Sequence, residues 1–176
     1  MKDESSQLCT KWAEQLIKRW MDQQFQISVE SLRNKGWSAL PLPDLLNPME
    51  AEWISEALSD KGLTIILGVR FDYMGNPLLD KVENHRDIIL NYIGMNSHLY
   101  VLLTDPDESF LLYKEQGNQF CLICGDTSFL ARSYRCSYDT AKIMFIDYWA
   151  DNDLRTKEER LFLTNVWDKY AIFKPI

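Results

Sequence analysis

Hydrophobic residues form three short runs between His98 and Cys124, and polar turns separate them. The runs 98–104, 109–115 and 119–124 are rich in aromatic and aliphatic side chains. Runs of this length, separated by Asp, Pro, Gly and Asn, predict a three-stranded antiparallel meander. The rest of the chain is organised around this stretch.

Residues 63–71 form a fourth apolar run, which also predicts a strand. The run is continuous and rich in β-branched residues, a pattern typical of a strand buried on both faces. We expect this strand to join the meander in an antiparallel or mixed sheet of about four strands. The chain before and after these runs is mainly helical in pattern, so the predicted fold class is α+β, with helices at both ends.

Helix boundaries follow from capping residues and from apolar residues that recur every three or four positions. Helices are predicted over residues 5–22, after Ser28, from Asn47 to about Asp60, from roughly Asp80 to Ile93, from Tyr138 to Ala150, and from Thr156 to about Tyr170. Tyr148 and Leu161 are expected among the inward-facing residues of the last two. Asp126 is expected to cap a short helical turn through Leu130.

Two segments are predicted to be non-helical. Pro41 and Pro43 exclude a regular helix and favour an extended chain, which we expect to pack across the surface of the domain. Residues 72–77, between the predicted strand and the next helix, contain glycine, asparagine and proline and are predicted to be a loop.

The length and the net charge of the chain limit the classes of function that it can have. The chain of 176 residues is expected to form a single domain over 1–176, with a core large enough to fold without disulfides or metals. Its net charge is −7, and Lys and Arg do not cluster, which argues against nucleic-acid binding. An acidic surface favours either a basic protein partner or simple solubility.

The termini and the cysteines predict a cytoplasmic protein. The first 20 residues are charged and lack the apolar stretch of a secretory signal, and no run is long enough to span a membrane. The four cysteines are therefore expected to be reduced thiols. Whether the protein is a monomer or a dimer is left open.

Cys121 and Cys124 form the only metal-like motif, C-x-x-C-G. A zinc site needs two more ligands, and a strand would direct side chains at i and i+3 to opposite faces. We therefore predict no metal and no cofactor, and the glycine-rich motifs of nucleotide-binding sites are absent from the sequence. His85 and His98, the only histidines, are interpreted as surface or capping residues, although a pairing with a cysteine stays open.

Two groups of carboxylates are the candidate partner-binding residues. Asp105, Asp107 and Glu108 share a turn stiffened by a proline, which would suit recognition of Lys and Arg. Asp147, Asp151 and Asp153 lie at a predicted helix C-terminus, where negative charge opposes the helix dipole. The simpler interpretation is a solvated acidic helix end, but a local rule broken without visible compensation can also mark a site for a basic partner.

The meander, the following GDTSFLARSY and the segment SYDTAKIMFIDYWADNDL resemble immunity proteins that bacteria pair with secreted polymorphic toxins, including those of contact-dependent inhibition systems. The resemblance covers less than half of the chain and transfers no individual residue. It implies a cytosolic protein that binds a cognate toxin domain and blocks its active site.

Two other functions are considered beside an immunity protein. One is an acidic secretion or effector chaperone, which an exposed apolar strand edge and a homodimer would favour. The other is a hydrolase, which a deep pocket combining His85 or His98 with a cysteine or with paired acids would favour. Enzymatic activity is the less favoured class.

Overall fold

The computed structural model describes residues 4–43, 46–74 and 76–171, with side chains from Leu8 onward. The helices are α1 (Glu4–Trp20), α2 (Val29–Lys35), α3 (Pro48–Asp60), α4 (Arg86–Met95), α5 (Thr127–Ser133), α6 (Tyr138–Lys142), a π-helix (Ile143–Ala150) and α7 (Lys157–Tyr170). The strands are β1 (Ser38–Pro43), β2 (Ile65–Phe71), β3 (Leu78–Glu83), β4 (Tyr100–Thr104), β5 (Leu111–Lys114) and β6 (Phe120–Gly125).

Within the described ranges, the six strands form one sheet in the order β1-β6-β5-β4-β2-β3. Every pair of neighbours is antiparallel. The predicted α+β class and the meander β4-β5-β6 are confirmed. The predicted count of about four strands is inexact, because β1 and β3 each add one strand at an edge.

Strand β3 corrects the helix predicted from Asp80. Residues 78–83 pair with β2 in a hairpin, and the helix begins only at Arg86. The charged residues of this segment fit either structure, so tertiary contacts decide the outcome. Asp80 accepts hydrogen bonds from Arg70 at 2.8 Å and from the hydroxyl of Tyr92 at 2.9 Å. The loop of this hairpin coincides with the predicted loop 72–77. Gly75 in this loop lies outside the described residues.

Strand β1 contains the two prolines and lies at the other edge of the sheet. The segment is extended, as predicted, but it pairs with β6 over its whole length. Pro41 and Pro43 are two residues apart, so both missing N–H groups belong on the same side of the strand. An edge strand tolerates such positions, because only one of its two sides takes part in the ladder with β6.

Capping residues determine where the helices begin, as the sequence predicts. Ser28, Asn47, Asp126 and Thr156 each accept a hydrogen bond from a backbone N–H in the first turn of the helix that follows. Asn47 and Thr156 are joined by a glutamate three residues later in complete capping boxes.

Helices cover both faces of the sheet. On one face, Phe25 packs against Phe71 and Tyr100, and Phe162 of α7 packs against Phe120. On the other face, Tyr92 of α4 lies over Gly68 and Phe129 of α5 lies over Gly125. Because both faces are covered, β5 and β6 are buried at every residue.

The predicted helix 138–150 changes its hydrogen-bond register after Lys142. From Ile143 it is a π-helix, in which bonds join residues five apart rather than four. Tyr148, predicted to face inward, is 68% exposed, whereas Phe145 is fully buried. Leu161, also predicted inward, is exposed as well, because the buried stripe of α7 is formed by Leu163, Val166, Trp167 and Tyr170.

Lys114 of β5 is the one buried cationic side chain among the described residues, at 1% exposure. Its ammonium donates hydrogen bonds to the backbone carbonyls of Asn96, Ser97 and Leu99, at 3.2, 2.5 and 2.8 Å. These carbonyls follow the C-terminus of α4, where a positive charge is favourable. Lys114 therefore fixes the connection between α4 and β4 to the middle of the sheet.

Replacing Gly68 with Ala should destabilise the protein by about 1–3 kcal/mol. The new Cβ would lie 2.6 Å from the ring of Tyr92, so Tyr92 must move and weaken its bond to Asp80. Chemical denaturation measures the change.

Gly94→Ala is the matched control, since a Cβ there meets nothing within 4 Å. In the last turns of α4 it should be neutral or stabilising by up to about 1 kcal/mol. Equal unfolding free energies for the two variants would contradict the proposed contact.

Candidate functional site

The turn between β4 and β5, residues 105–108, is termed the acidic turn. Asp105 is 3% exposed, and its Oδ1 accepts a 2.6 Å hydrogen bond from the backbone N–H of Ser109. Its carbonyl oxygen accepts a second bond from the N–H of Glu108, which has a positive φ of 51°. Asp105 thus shapes the turn from inside, and its carboxylate is closed to a partner.

Glu108 connects the acidic turn to α1. One carboxylate oxygen accepts a hydrogen bond from the guanidinium of Arg19, and the other accepts a 2.7 Å bond from the indole N–H of Trp20. The side chain of Glu108 is only 16% exposed, so part of its charge is satisfied internally. Of the three predicted acids in this turn, only Asp107 is exposed.

A small cleft of about 300 Å³ lies beside the acidic turn. It is lined by Arg19, Trp20, Ser31, Asn34, Lys35 and Glu108. Among the described lining residues, the one carboxylate, that of Glu108, is already paired with Arg19. The cleft therefore does not provide the paired acids of a hydrolytic site.

The second predicted acidic group lies on the π-helix and the loop after it. The indole N–H of Trp149 donates a 2.7 Å hydrogen bond to the carbonyl of Gln119, which anchors the helix to the β5–β6 turn. The guanidinium of Arg155 stacks over the ring of Trp149 at 4.0 Å and donates to its carbonyl oxygen at 2.9 Å. These contacts hold the helix end and the loop together.

Arg160 of α7 brings Asp151 and Asp153 together. Its guanidinium lies 2.8 Å from Asp151 Oδ1 and 3.9 Å from Asp153 Oδ1. The negative charges at this helix end, which the sequence leaves uncompensated, are therefore partly balanced from α7. Asp147 is exposed on the π-helix itself.

The structure does not bring the two acidic groups together. The acidic turn precedes β5, whereas Gln119, to which the π-helix is anchored, follows β5. The two groups therefore lie at opposite ends of that strand.

The two thiols of the C-x-x-C-G motif lie on opposite faces of β6, as the strand period predicts. Cys121 is paired with Leu42 and Lys114, and Cys124 with Ala39 and Leu111. Three positions separate them, so their side chains alternate across the sheet. Complete burial raises the pKa of the Cys124 thiol, which disfavours the nucleophilic thiolate.

No group of three or more His, Cys, Asp or Glu residues in the described ranges is arranged to bind a metal ion. In those ranges, none of the helices combines the length and apolarity that crossing a bilayer demands.

His85 lines a shallow groove of about 460 Å³ along α3, which sequence reasoning did not identify. Its Nδ1 accepts a 3.3 Å hydrogen bond from the N–H of Asp87, so it caps α4. Glu52, Glu56 and Asp60 recur every four residues along the helix, a spacing that is visible in the sequence. They pair with Arg86, Arg135 and Arg132, respectively.

These ion pairs argue against a catalytic site in the groove. The acids that line it lie against arginines, and the described lining residues include no cysteine. His85 itself is exposed and holds a capping role. The arrangement is that of a polar helix face held to its neighbours rather than of a nucleophile and its base.

Comparison of the chain with protein-family models, with curated proteins and with solved structures gives no match.

Replacing Glu108 with Ala should lower the free energy of unfolding by about 1–2 kcal/mol, because the indole N–H of Trp20 is partly buried and loses its hydrogen-bond acceptor. Glu108→Gln keeps an acceptor and should lose less. Urea denaturation followed by tryptophan fluorescence measures both.

Asp107→Ala serves as the control in the same turn, and its exposed side chain predicts a change within about 0.5 kcal/mol. Equal losses for Asp107→Ala and Glu108→Ala would show that the contact with α1 contributes nothing.

Proposed function

We propose that this protein is an immunity protein that acts in the cytoplasm, where it binds a cognate, basic, secreted toxin domain and blocks its active site. The net charge of −7 supports a basic partner, because opposite fields attract and orient the two proteins. The resemblance of the C-terminal half to polymorphic-toxin immunity proteins supplies the class of partner.

The observation that carries this proposal is the presentation of Asp147, Asp151 and Asp153 on a firmly anchored element. Trp149 ties the π-helix to Gln119, and Arg155 ties the loop to Trp149. Acids held on a rigid element lose little conformational freedom when a partner binds. The mechanism is steric occlusion of the toxin active site, assisted by electrostatic steering.

A secretion chaperone is supported less well by the sheet edges. Such a protein would be favoured by an exposed apolar edge that a client strand can join. Along the described part of the sheet, β1 carries Pro41 and Pro43, and β3 presents Lys81 and Glu83 to solvent. Prolines and charged side chains at the edge of a sheet both discourage the addition of another strand.

Binding to the toxin domain encoded beside this gene should be tight and sensitive to salt. The double variant Asp147→Asn/Asp153→Asn should slow association at low ionic strength by about tenfold. Surface plasmon resonance over a salt series measures the rates, and a toxicity assay measures neutralisation.

The control is Glu14→Gln/Glu83→Gln, which removes the same charge from exposed sites on α1 and β3. Its association rate should stay closer to that of the unmodified protein. A neighbouring toxin that is neither bound nor neutralised would refute the proposal.

A further inference from the structure

Exposed apolar side chains gather on the π-helix and the loop that follows it. Ile143 is 47% exposed, Met144 46%, Tyr148 68% and Leu154 94%. We refer to these four residues as the π-helix surface. Exposed apolar residues scattered singly need no explanation, whereas a contiguous apolar patch is typical of an interaction site.

The π register itself assembles three of these residues. In an α-helix, a residue lies beside those three and four positions earlier, so Tyr148 would lie beside Met144 and the buried Phe145. In a π-helix, the neighbours are four and five positions earlier, so Tyr148 lies beside Met144 and Ile143. The change of register thus turns Tyr148 from the core to solvent and places it among exposed apolar neighbours.

Tertiary contacts hold this register in place. Phe145 and Ala150 are buried against the domain, and the N–H of Asp151 donates a 2.8 Å bond to the carbonyl of Ile146, five residues earlier. Within the loop, Asn152 Oδ1 accepts a 2.9 Å bond from the N–H of Leu154, which fixes the exposed leucine in a turn. The π-helix surface is therefore ordered before any partner binds.

Charged residues around the surface indicate the chemistry of the partner. Asp139, Asp147, Asp151 and Asp153 are exposed on the same stretch of chain, together with one lysine, Lys142. Arg160 of α7 lies against Asp151 and Asp153, whereas no ion pair involving Asp139 or Asp147 is found among the described residues. A second copy of this chain would bring two acidic rims together, which is unfavourable. A partner with an apolar pocket flanked by Lys and Arg would match both the apolar centre of the π-helix surface and its acidic rim.

We infer that the π-helix surface is the docking site for the toxin, with Tyr148 as its central anchor. This inference rests on the proposed function and specifies which surface performs it. Tyrosine and methionine are enriched in interfaces, and a few central side chains carry most of the binding energy. The acidic turn, at the other end of β5, lies outside this contact.

The test uses Tyr148→Ala in the full chain, with Tyr73→Ala as its matched control. Tyr73 lies in the β2–β3 hairpin loop and is 69% exposed, so the two variants remove the same side chain from equally open positions. Tyr148→Ala should weaken the affinity for the adjacent gene's toxin domain by at least about tenfold, mainly through faster dissociation. Tyr73→Ala should change it by less than about twofold.

Thermal unfolding of both variants verifies that each remains folded, as expected for exposed positions. If the unmodified protein binds the toxin and Tyr148→Ala binds equally well, the docking site is wrong while the proposed function stands. If the unmodified protein does not bind the toxin, the proposed function fails, and this inference fails with it. A dimer of the unmodified protein that Tyr148→Ala dissociates, with toxin binding unchanged, would assign the surface to a second copy instead.

Discussion

Burial of the central strands on both faces is the constraint from which the rest of the structure follows. Helices cover β5 and β6 from either side, so each polar group on these strands must find its partner inside the protein. Lys114 meets this requirement with three carbonyls beyond the end of α4. Its ammonium thereby ties the segment between α4 and β4 to β5.

The helix starts and the meander could be predicted because their signals are local. A side chain such as Asn47 or Thr156 satisfies a backbone N–H a few residues away, and no distant contact is needed. Strand β3 could not be predicted in this way. Its residues fit a helix or a strand, and only the pairing with β2 and the bonds of Asp80 to Arg70 and Tyr92 distinguish the two.

The candidate site was predictable in composition but not in geometry. The spacing of Asp151 and Asp153 is visible in the sequence, whereas their shared contact with Arg160 depends on how α7 packs. Glu108 likewise has the sequence context of an exposed turn residue. Its contacts with Trp20 and Arg19 depend on how α1 packs against the turn. The π register carries no local sequence signal, because the burial of Phe145 and Ala150 that holds it depends on how the helix packs against the domain.

The placement of Cys121 and Cys124 makes β6 a two-sided probe of unfolding. The two cysteines are three positions apart. Cys121 is covered by the layer that contains α4 and α5, and Cys124 is covered by the layer that contains α1 and α7. A thiol reagent reaches each of them only after its own layer has lifted from the sheet. The order in which the two cysteines become modified therefore records which helical layer separates first.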